Sequence, residues 1–107
     1  MEAWKVRFWK QRIVTAGDQG KIFVYDPNTG ELKNDYRFND SFITGIAING
    51  KNEIVFSNSM GEIGTYIEQG VVPIPTDHRK YIRAITFASD GNRIITCSDD
   101  LRISVID

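Results

Sequence analysis

Three segments of this chain share one pattern of polar and apolar positions. In each, a short turn of small and polar residues precedes a strand of alternating or fully apolar residues. The segments are Thr15–Asp26, Phe56–Ile67 and Thr96–Asp107, and their first residues lie 41 and 40 residues apart. A constant spacing of about 40 residues indicates a repeated supersecondary unit rather than a single irregular domain.

Alternation with a period of two runs through the whole chain and predicts strands, with no sustained helical period. Eleven strands follow, in groups of four, four and three. They are predicted over Trp4–Trp9, Ile13–Thr15, Ile22–Tyr25, Glu31–Phe38, Phe42–Ile48, Glu53–Ser57, Glu62–Ile67, Gly70–Ile74, Tyr81–Phe87, Arg93–Thr96 and Arg102–Ile106. Turns rich in Gly, Asp, Asn and Pro separate them, as at Asp26–Gly30 and Ser89–Asn92.

The totals place limits on the class of protein. The 107 residues, 41% of them apolar, suffice for one domain with a core. Thirteen basic against fourteen acidic residues give a net charge of −1, which favours neither nucleic acid nor an anionic membrane. No apolar run approaches the roughly 20 residues that span a bilayer, and residues 1–5 lack the features of a signal peptide. Cys97 has no second cysteine to pair with, so we expect an intracellular location, cytoplasmic or nuclear or both.

Two stretches resemble the WD40 repeat family. Ile82–Gly91 (IRAITFASDG) is similar to the family's apolar strand that ends in Phe-Ser-Pro-Asp-Gly. Gly20–Asp26 (GKIFVYD) is similar to its closing strand, with Tyr25 in place of the usual tryptophan. With three copies in register, the resemblance covers essentially the whole chain. It implies an all-β fold of about three WD40-type β-propeller blades, the third without its outer strand, and thus an incomplete propeller.

On this resemblance residues 1–107 form one partial WD40 β-propeller, with units at about 1–38, 39–76 and 77–107. Propellers typically use 4–8 blades to hide their sheet faces. Fewer than three complete units leave an apolar face open at each end. We therefore expect either a piece of a longer propeller or a homo-oligomer formed through the open end blades.

In the WD40 family a hydrogen-bonded set of His, Ser or Thr, Asp and Trp ties each blade together. Carried over by position, the set in the third unit is His78, Thr96 and Asp100, with Ile106 in the place of the tryptophan. The first two units depart from it. The departures are Gln19 and Tyr25 in the first unit, and Asn39, Phe56, Met60 and Tyr66 in the second.

Within the family, the run from Glu2-Ala-Trp4 through Ile82–Ile85 looks most like the small WD40 subunit shared by the superkiller RNA-decay complex and the RNA-polymerase-associated Paf complex. That narrower resemblance implies a subunit of an RNA-decay or transcription-elongation complex.

The chemistry-bearing residues admit an alternative, a propeller fragment with an enzymatic or metal-binding site. His78 is the only histidine, so a triad would have to join Asp100 and His78 to a serine or to Cys97. The carboxylates beside turn residues could be calcium ligands or an acid–base pair; they are Asp18, Asp26, Asp90, Asp99 and Asp100. Turn aspartates more often cap backbone N–H groups, and a sole histidine is more often structural. We therefore assign no catalytic, cofactor-binding or metal-binding residue and expect no cofactor.

A non-catalytic protein–protein interaction scaffold is the preferred interpretation, because stacked blades offer loops and a rigid face without built-in chemistry. The candidate interface residues are Trp9, Tyr36, Arg79 and Lys80. Alternation leaves Trp9 and Tyr36 either exposed or buried and assigns Trp4 and Phe8 to the core. The expected partners are other proteins, with no direct contact to nucleic acid or membrane.

Overall fold

The computed structural model describes residues 3–17, 20–38, 41–67 and 70–107 of the chain. It contains the strands β1 (Ala3–Trp9), β2 (Arg12–Gly17), β3 (Lys21–Tyr25), β4 (Leu32–Arg37), β5 (Ile43–Ile48), β6 (Ile54–Asn58), β7 (Ile63–Ile67), β8 (Gly70–Ile74), β9 (Ile82–Phe87), β10 (Ile94–Ser98) and β11 (Ile103–Ile106). Among these described residues there is no helix of the length and apolar character that crossing a membrane requires.

The strands pair in chain order into three antiparallel sheets. The first sheet has the order β1-β2-β3-β4, the second β5-β6-β7-β8 and the third β9-β10-β11. Each strand pairs with the next through a short connection, as the period-two alternation and the turn residues predict. The prediction of an all-β fold, with a third sheet of three strands, is confirmed.

The three sheets fan out from their first strands. β1 packs against β5, and β5 packs against β9, whereas the outer strands β4 and β8 make few contacts with each other. Sheets that are close at one edge and apart at the other have the radial arrangement of propeller blades. The chain thus forms consecutive blades of an incomplete propeller, as the resemblance implies.

The second sheet carries the core, because both of its faces are covered. Five of the six β5 residues and all five β6 residues are buried. Toward the first sheet, Phe56 and Ile46 pack with Val14 and Ile22. Toward the third sheet, Ala47 and Val55 pack with Ile94. The face toward the third sheet uses smaller side chains, so those two sheets meet through a smaller apolar cluster.

The structure corrects the prediction of which side chains in β1 face the core. Phe8, which the sequence assigns to the core, is 69% exposed, and Val6 on the same face is 58% exposed. Trp9 is buried instead, at 7% exposure, against the second sheet. The period is right but the buried face is the other one, because the described residues cover the first sheet on a single side. The side chain of Trp4 lies outside the described part of the structure.

An asparagine four residues before a glutamate builds two successive turns of the second sheet in the same way. The Asn49 Oδ1 atom accepts the N–H groups of Lys51 and Glu53, at 3.0 and 2.9 Å. The Asn58 Oδ1 atom accepts those of Met60 and Glu62, at 3.0 and 2.8 Å. In both turns the amide nitrogen donates to the glutamate side chain. Such side-chain caps replace backbone bonds that a tight turn leaves unmade.

Antiparallel pairing gathers the connections at two opposite ends of the strands. We call one end the hairpin face (residues 10–11, 49–53 and 88–93) and the other the loop face (residues 59–62, 75–81 and 99–102). On the hairpin face, hydrogen bonds link each sheet to the next. The Trp9 indole N–H donates to the Asn52 carbonyl at 2.6 Å, and the Asn49 amide donates to the Gly91 carbonyl at 2.8 Å.

On the loop face, the connection between the second and third sheets lies directly on a turn of the second sheet. Gly61, at φ +84°, sits so close that a Cβ atom there would lie 2.9 Å from the His78 carbonyl carbon and oxygen and from the Lys80 nitrogen. Those atoms are backbone and cannot rotate away. The absence of a side chain at position 61 therefore allows the second sheet to support the loop of the third.

We expect Gly61→Ala to destabilise the protein more than Gly30→Ala. Gly30 has a similar φ of +73° but nothing within 4 Å of a Cβ atom, so its substitution costs only the left-handed backbone term, about 1 kcal/mol. Gly61→Ala adds the clash with residues 78–80, for a total of about 3 kcal/mol. Urea unfolding of the two variants measures both values; equal losses would contradict the tight contact.

Candidate functional site

His78 holds the loop between β8 and β9 against the third sheet. Its ring Nδ1 lies 2.8 Å from the Asp100 Oδ2 atom, and Nε2 lies 2.6 Å from the Thr96 Oγ1 atom. The His78 side chain is fully buried, and Thr96 is 1% exposed. A neutral imidazole satisfies all three groups, because Nδ1–H donates to the carboxylate and the threonine hydroxyl donates to Nε2. The structure thus brings together the three residues that the WD40 resemblance groups.

The backbone of the same loop is fixed at further points. The Ser98 hydroxyl donates to the Lys80 carbonyl at 3.0 Å, and the Asp99 N–H donates to the Tyr81 carbonyl at 2.9 Å. The Arg79 N–H approaches the Asp100 carboxylate at 3.4 Å. Because these bonds start from the β10–β11 turn, the loop and the turn form one rigid unit.

Asp100 depends on these hydrogen bonds for its charge state. Partial burial acts to raise the pKa of its carboxyl group. The hydrogen bond with His78 and the N–H groups of Arg102 and Arg79 act in the opposite direction and outweigh it. The pKa of Asp100 therefore lies below its ordinary value of 3.8, and the carboxylate is charged at neutral pH.

The geometry does not assemble the alternative triad. The Nε2 atom of His78 meets Thr96, not Cys97 or a serine, and both partners are buried away from solvent. The turn carboxylates are also engaged: Asp26 accepts backbone N–H groups of residues 28 and 29, and Asp90 accepts that of Asn92. Within the described ranges no group of three His, Cys, Asp or Glu side chains is placed to hold a metal ion. Asp18 lies outside those ranges, as do residues 2, 19 and 39.

The aromatic interface candidates lie between the first two sheets. Trp9 packs edge-on against Tyr66 at 4.8 Å between ring centroids, and Tyr36 packs against the same ring at 5.0 Å. The hydroxyl groups of Tyr36 and Tyr66 are 2.8 Å apart and share a hydrogen bond. Trp9 is therefore buried inside the chain, and the option that left it exposed for a partner is wrong. Tyr36 is half-buried in the same cluster.

Packing between the first two sheets also explains two departures of the second unit from the family pattern. Phe56 stands where the third unit has Thr96, and it is fully buried in the core between the first two sheets. Tyr66 stands where the family has a tryptophan, and its hydroxyl reaches the neighbouring sheet. In the first unit, Thr15 occupies the position of Thr96, and among the described residues its buried Oγ1 has no hydrogen-bond partner.

The cationic candidates are exposed on the loop face. Arg79 and Lys80 line a concavity of about 480 Å³ together with Asp77, Asp100 and Arg102. A second concavity, of about 640 Å³, lies between the second sheet and the loop that connects β8 to β9, and Met60 and Arg79 are among its lining residues. The sequence predicted Arg79 and Lys80 as candidates, and the fold adds Arg102 to the same surface.

Two exposed apolar side chains on the loop face were missed from the sequence. Met60 is 59% exposed and Leu101 is 96% exposed, each at the tip of a turn. Leu101 also has a φ of +66°, a conformation that favours glycine. Gly20 and Gly61 occupy the equivalent positions in the other two units, with φ of +68° and +84°. Aligning the three copies would have marked Leu101 as the exception.

Comparisons with known proteins agree with the fold. Residues 71–107, which run from β8 through the third sheet, match the family model "WD domain, G-beta repeat". Among solved structures, the C-terminal WD40 domain of Sif2 superposes with a TM-score of 0.80 at 12% sequence identity. The match covers 99% of this chain but 34% of that domain, so the chain spans about a third of its length.

No curated protein sequence matches the chain significantly. The narrower resemblance to a subunit of an RNA-decay or transcription-elongation complex receives no support from these comparisons. What they establish is the architecture: the chain has the fold of WD40 propeller blades, and its last part matches a WD40 repeat.

We expect the Asp100 network to make stability depend on acid pH. Because the folded-state pKa of Asp100 is below its unfolded value of 3.8, its contribution is present above that value and is lost as pH falls through the folded pKa. Asp100→Asn keeps an oxygen acceptor for His78 but removes the titration.

Urea unfolding between about pH 5 and about pH 2 tests this. The stability difference between the native chain and Asp100→Asn should be largest at the upper pH and shrink toward the lower. Some acid sensitivity should remain in the variant, because hydrogen bonds also lower the pKa of Asp90 and Asp99. A constant difference across the range would exclude the assigned role of Asp100.

Proposed function

We propose that this chain is a non-catalytic protein-interaction scaffold and that its loop face binds other proteins. One observation carries the proposal. The His78 hydrogen bonds and the contact with Gly61 fix the loop-face backbone on its buried side, while Met60 and Leu101 remain exposed at its turn tips. A rigid surface with exposed apolar side chains binds a partner at low entropic cost.

The structural role of His78 supports the non-catalytic part of the proposal. Both ring nitrogens are occupied by Asp100 and Thr96, and the side chain is fully buried. A general base must reach a substrate proton, either directly or through one water. WD40 domains are in general interaction scaffolds, and stacked blades supply the loops and rigid faces for that role.

Membership of an RNA-decay or transcription-elongation complex is a narrower hypothesis, and an intracellular location belongs with it. Affinity capture followed by mass spectrometry tests the membership. Recovery of helicase-like or elongation subunits would favour the narrower hypothesis, whereas their absence would remove it without affecting the scaffold proposal.

We expect the loop-face substitution Met60→Glu to abolish specific capture of partners from a lysate. The matched control is Val72→Glu, which also replaces an exposed apolar residue, at 37% exposure, but on the outer strand β8. Proteins captured by the native chain and by Val72→Glu, but lost from Met60→Glu, would be loop-face partners. If both substitutions leave the captured proteins unchanged, the loop face is not the binding surface.

We also infer that two copies of the chain associate. The free face of the third sheet in one copy packs against the free face of the first sheet in the other. The register supports this. Ile13 and Thr15 on the first sheet occupy the positions of Ile54 and Phe56, which face the preceding sheet. On the third sheet, Ile103 and Val105 remain 74% and 59% exposed.

These two surfaces therefore repeat the two sides of the interfaces within the chain. Phe8 and Val6 enlarge the apolar area of the first surface. The Thr15 hydroxyl, which finds no partner in the part of the chain that the structure describes, marks that surface as incomplete. Packing the third sheet of one copy on the first sheet of the next is a head-to-tail contact, which closes into a ring or continues as a chain.

Sedimentation velocity over a micromolar concentration series tests this association. We expect the native chain to associate as concentration rises, and Val105→Asp to remain monomeric because it places a charge in the apolar contact. Val72→Asp, an equal change away from both free faces, should associate normally. A native chain that stays a folded monomer throughout the series would refute the contact.

A further inference from the structure

The loop face carries three cations that form no ion pair within 4.0 Å among the described residues. Arg79, Lys80 and Arg102 line the same concavity of about 480 Å³, and all three are exposed. Within the described part of the chain, none of these side chains makes a hydrogen bond or an ion pair. By contrast, Arg83 pairs with Asp99 and Arg93 pairs with Asp90.

The carboxylates beside these cations are largely committed to other partners. Asp99 receives two hydrogen bonds of 2.8 Å from the Arg83 guanidinium group. Asp100 is held by His78 and by backbone N–H groups. Asp77 is the remaining carboxylate that lines the concavity. Hydrogen bonding does not remove the charge of Asp100, so the three cations and the carboxylates of Asp77 and Asp100 leave this concavity with one excess positive charge. The surface is thus locally positive, although the whole chain carries a net charge of −1.

The same network also positions the cations. The Asp100 carboxylate accepts the N–H groups of Arg102 and Arg79, at 2.9 and 3.4 Å, and the Ser98 hydroxyl donates to the Lys80 carbonyl. The backbone of each cationic residue is thereby fixed before any ligand arrives. Fixed positions reduce the entropy lost on binding, although the long side chains themselves stay mobile.

Leu101 adds an apolar group directly beside Arg102. It is 96% exposed and adopts the left-handed backbone that glycine adopts at the equivalent positions of the other two units. Folding gains nothing from this side chain, because it touches solvent and strains its own backbone. A leucine in this conformation, next to free cations, is best explained by contact with another molecule.

We propose that Arg79, Lys80, Arg102 and Leu101 bind an acidic segment of a partner protein in which Asp or Glu residues flank an apolar residue. The carboxylates pair with the three cations, and the apolar residue covers Leu101. This inference rests on the proposed function of the loop face and names the chemistry of its partner. An apolar contact beside three cations fits a peptide better than a nucleic acid, which requires a more extended positive field.

Fluorescence anisotropy with labelled probes tests the proposal. The first probe is a peptide in which Glu and Asp alternate with Leu. The second is the same peptide with Gln and Asn in place of the acids, and the third is a single-stranded oligonucleotide. We expect the acidic peptide to bind at least about tenfold more tightly than either other probe, and its affinity to fall as salt is added. Equal binding of the neutral peptide, or tighter binding of the oligonucleotide, would overturn the proposal.

Two protein variants locate the site. Arg102→Glu should weaken binding of the acidic peptide about tenfold. Arg12→Glu makes the same charge change at the first residue of β2, beside the hairpin face, and should leave the affinity within about twofold. If both substitutions weaken binding equally, net charge rather than this surface determines the affinity.

Leu101→Gly separates binding from folding. Because glycine relieves the backbone strain, the variant should unfold at a higher temperature than the native chain, and because it lacks the apolar contact, it should bind the acidic peptide more weakly. Unchanged affinity would remove Leu101 from the site. If the acidic peptide fails to bind while Met60→Glu still abolishes partner capture, the loop face remains a scaffold surface and only the acidic partner is excluded.

Discussion

The rest of the structure depends on the burial of the second sheet between its two neighbours. A four-stranded sheet of this composition is apolar on both faces, and burial of apolar surface stabilises a fold by roughly 25 cal/mol per Å². Strands β5 and β6 are buried almost throughout, so this sheet is a central layer and cannot be an edge. The first and third sheets each have one covered and one free face. That difference explains why similar alternating sequences give different burial in the three sheets.

The two joints between sheets are built from different chemistry. The first and second sheets meet through large side chains, with Phe56 in the core and the rings of Trp9, Tyr36 and Tyr66 at the edge. The second and third sheets share a smaller apolar cluster. Polar contacts add to that joint, in which His78 and the loop residues beside it lie against Gly61. Loss of the family's hydrogen-bonded set in the second unit is therefore compensated by aromatic packing.

Support and recognition are divided between buried and exposed groups on the loop face. The buried groups, His78 and Thr96, hold the backbone and lie away from solvent, where a ligand does not reach them. The exposed side chains at the turn tips, Met60 and Leu101, lie largely in solvent rather than in the core. Burial within a low-dielectric environment gives the His78 hydrogen bonds strength and directionality, while exposure leaves the cations and Leu101 available. Substitutions of the exposed side chains on such a surface can therefore change its binding specificity without loss of the fold.

The sequence by itself determined the eleven strands, their antiparallel order and the repeated unit, because period-two alternation and turn residues act locally. The resemblance to the WD40 family also marked His78, Thr96 and Asp100, by their places in the third unit. Only the tertiary structure decided which face of each strand is buried. Phe8 and Trp9 are adjacent on one strand, and their exposures of 69% and 7% follow from the sheet that lies beside them. Likewise, Arg102 joins Arg79 and Lys80 only because the turn after β10 packs against the loop before β9. Contacts between residues distant in the chain depend on how sheets stack, and no local pattern encodes that stacking.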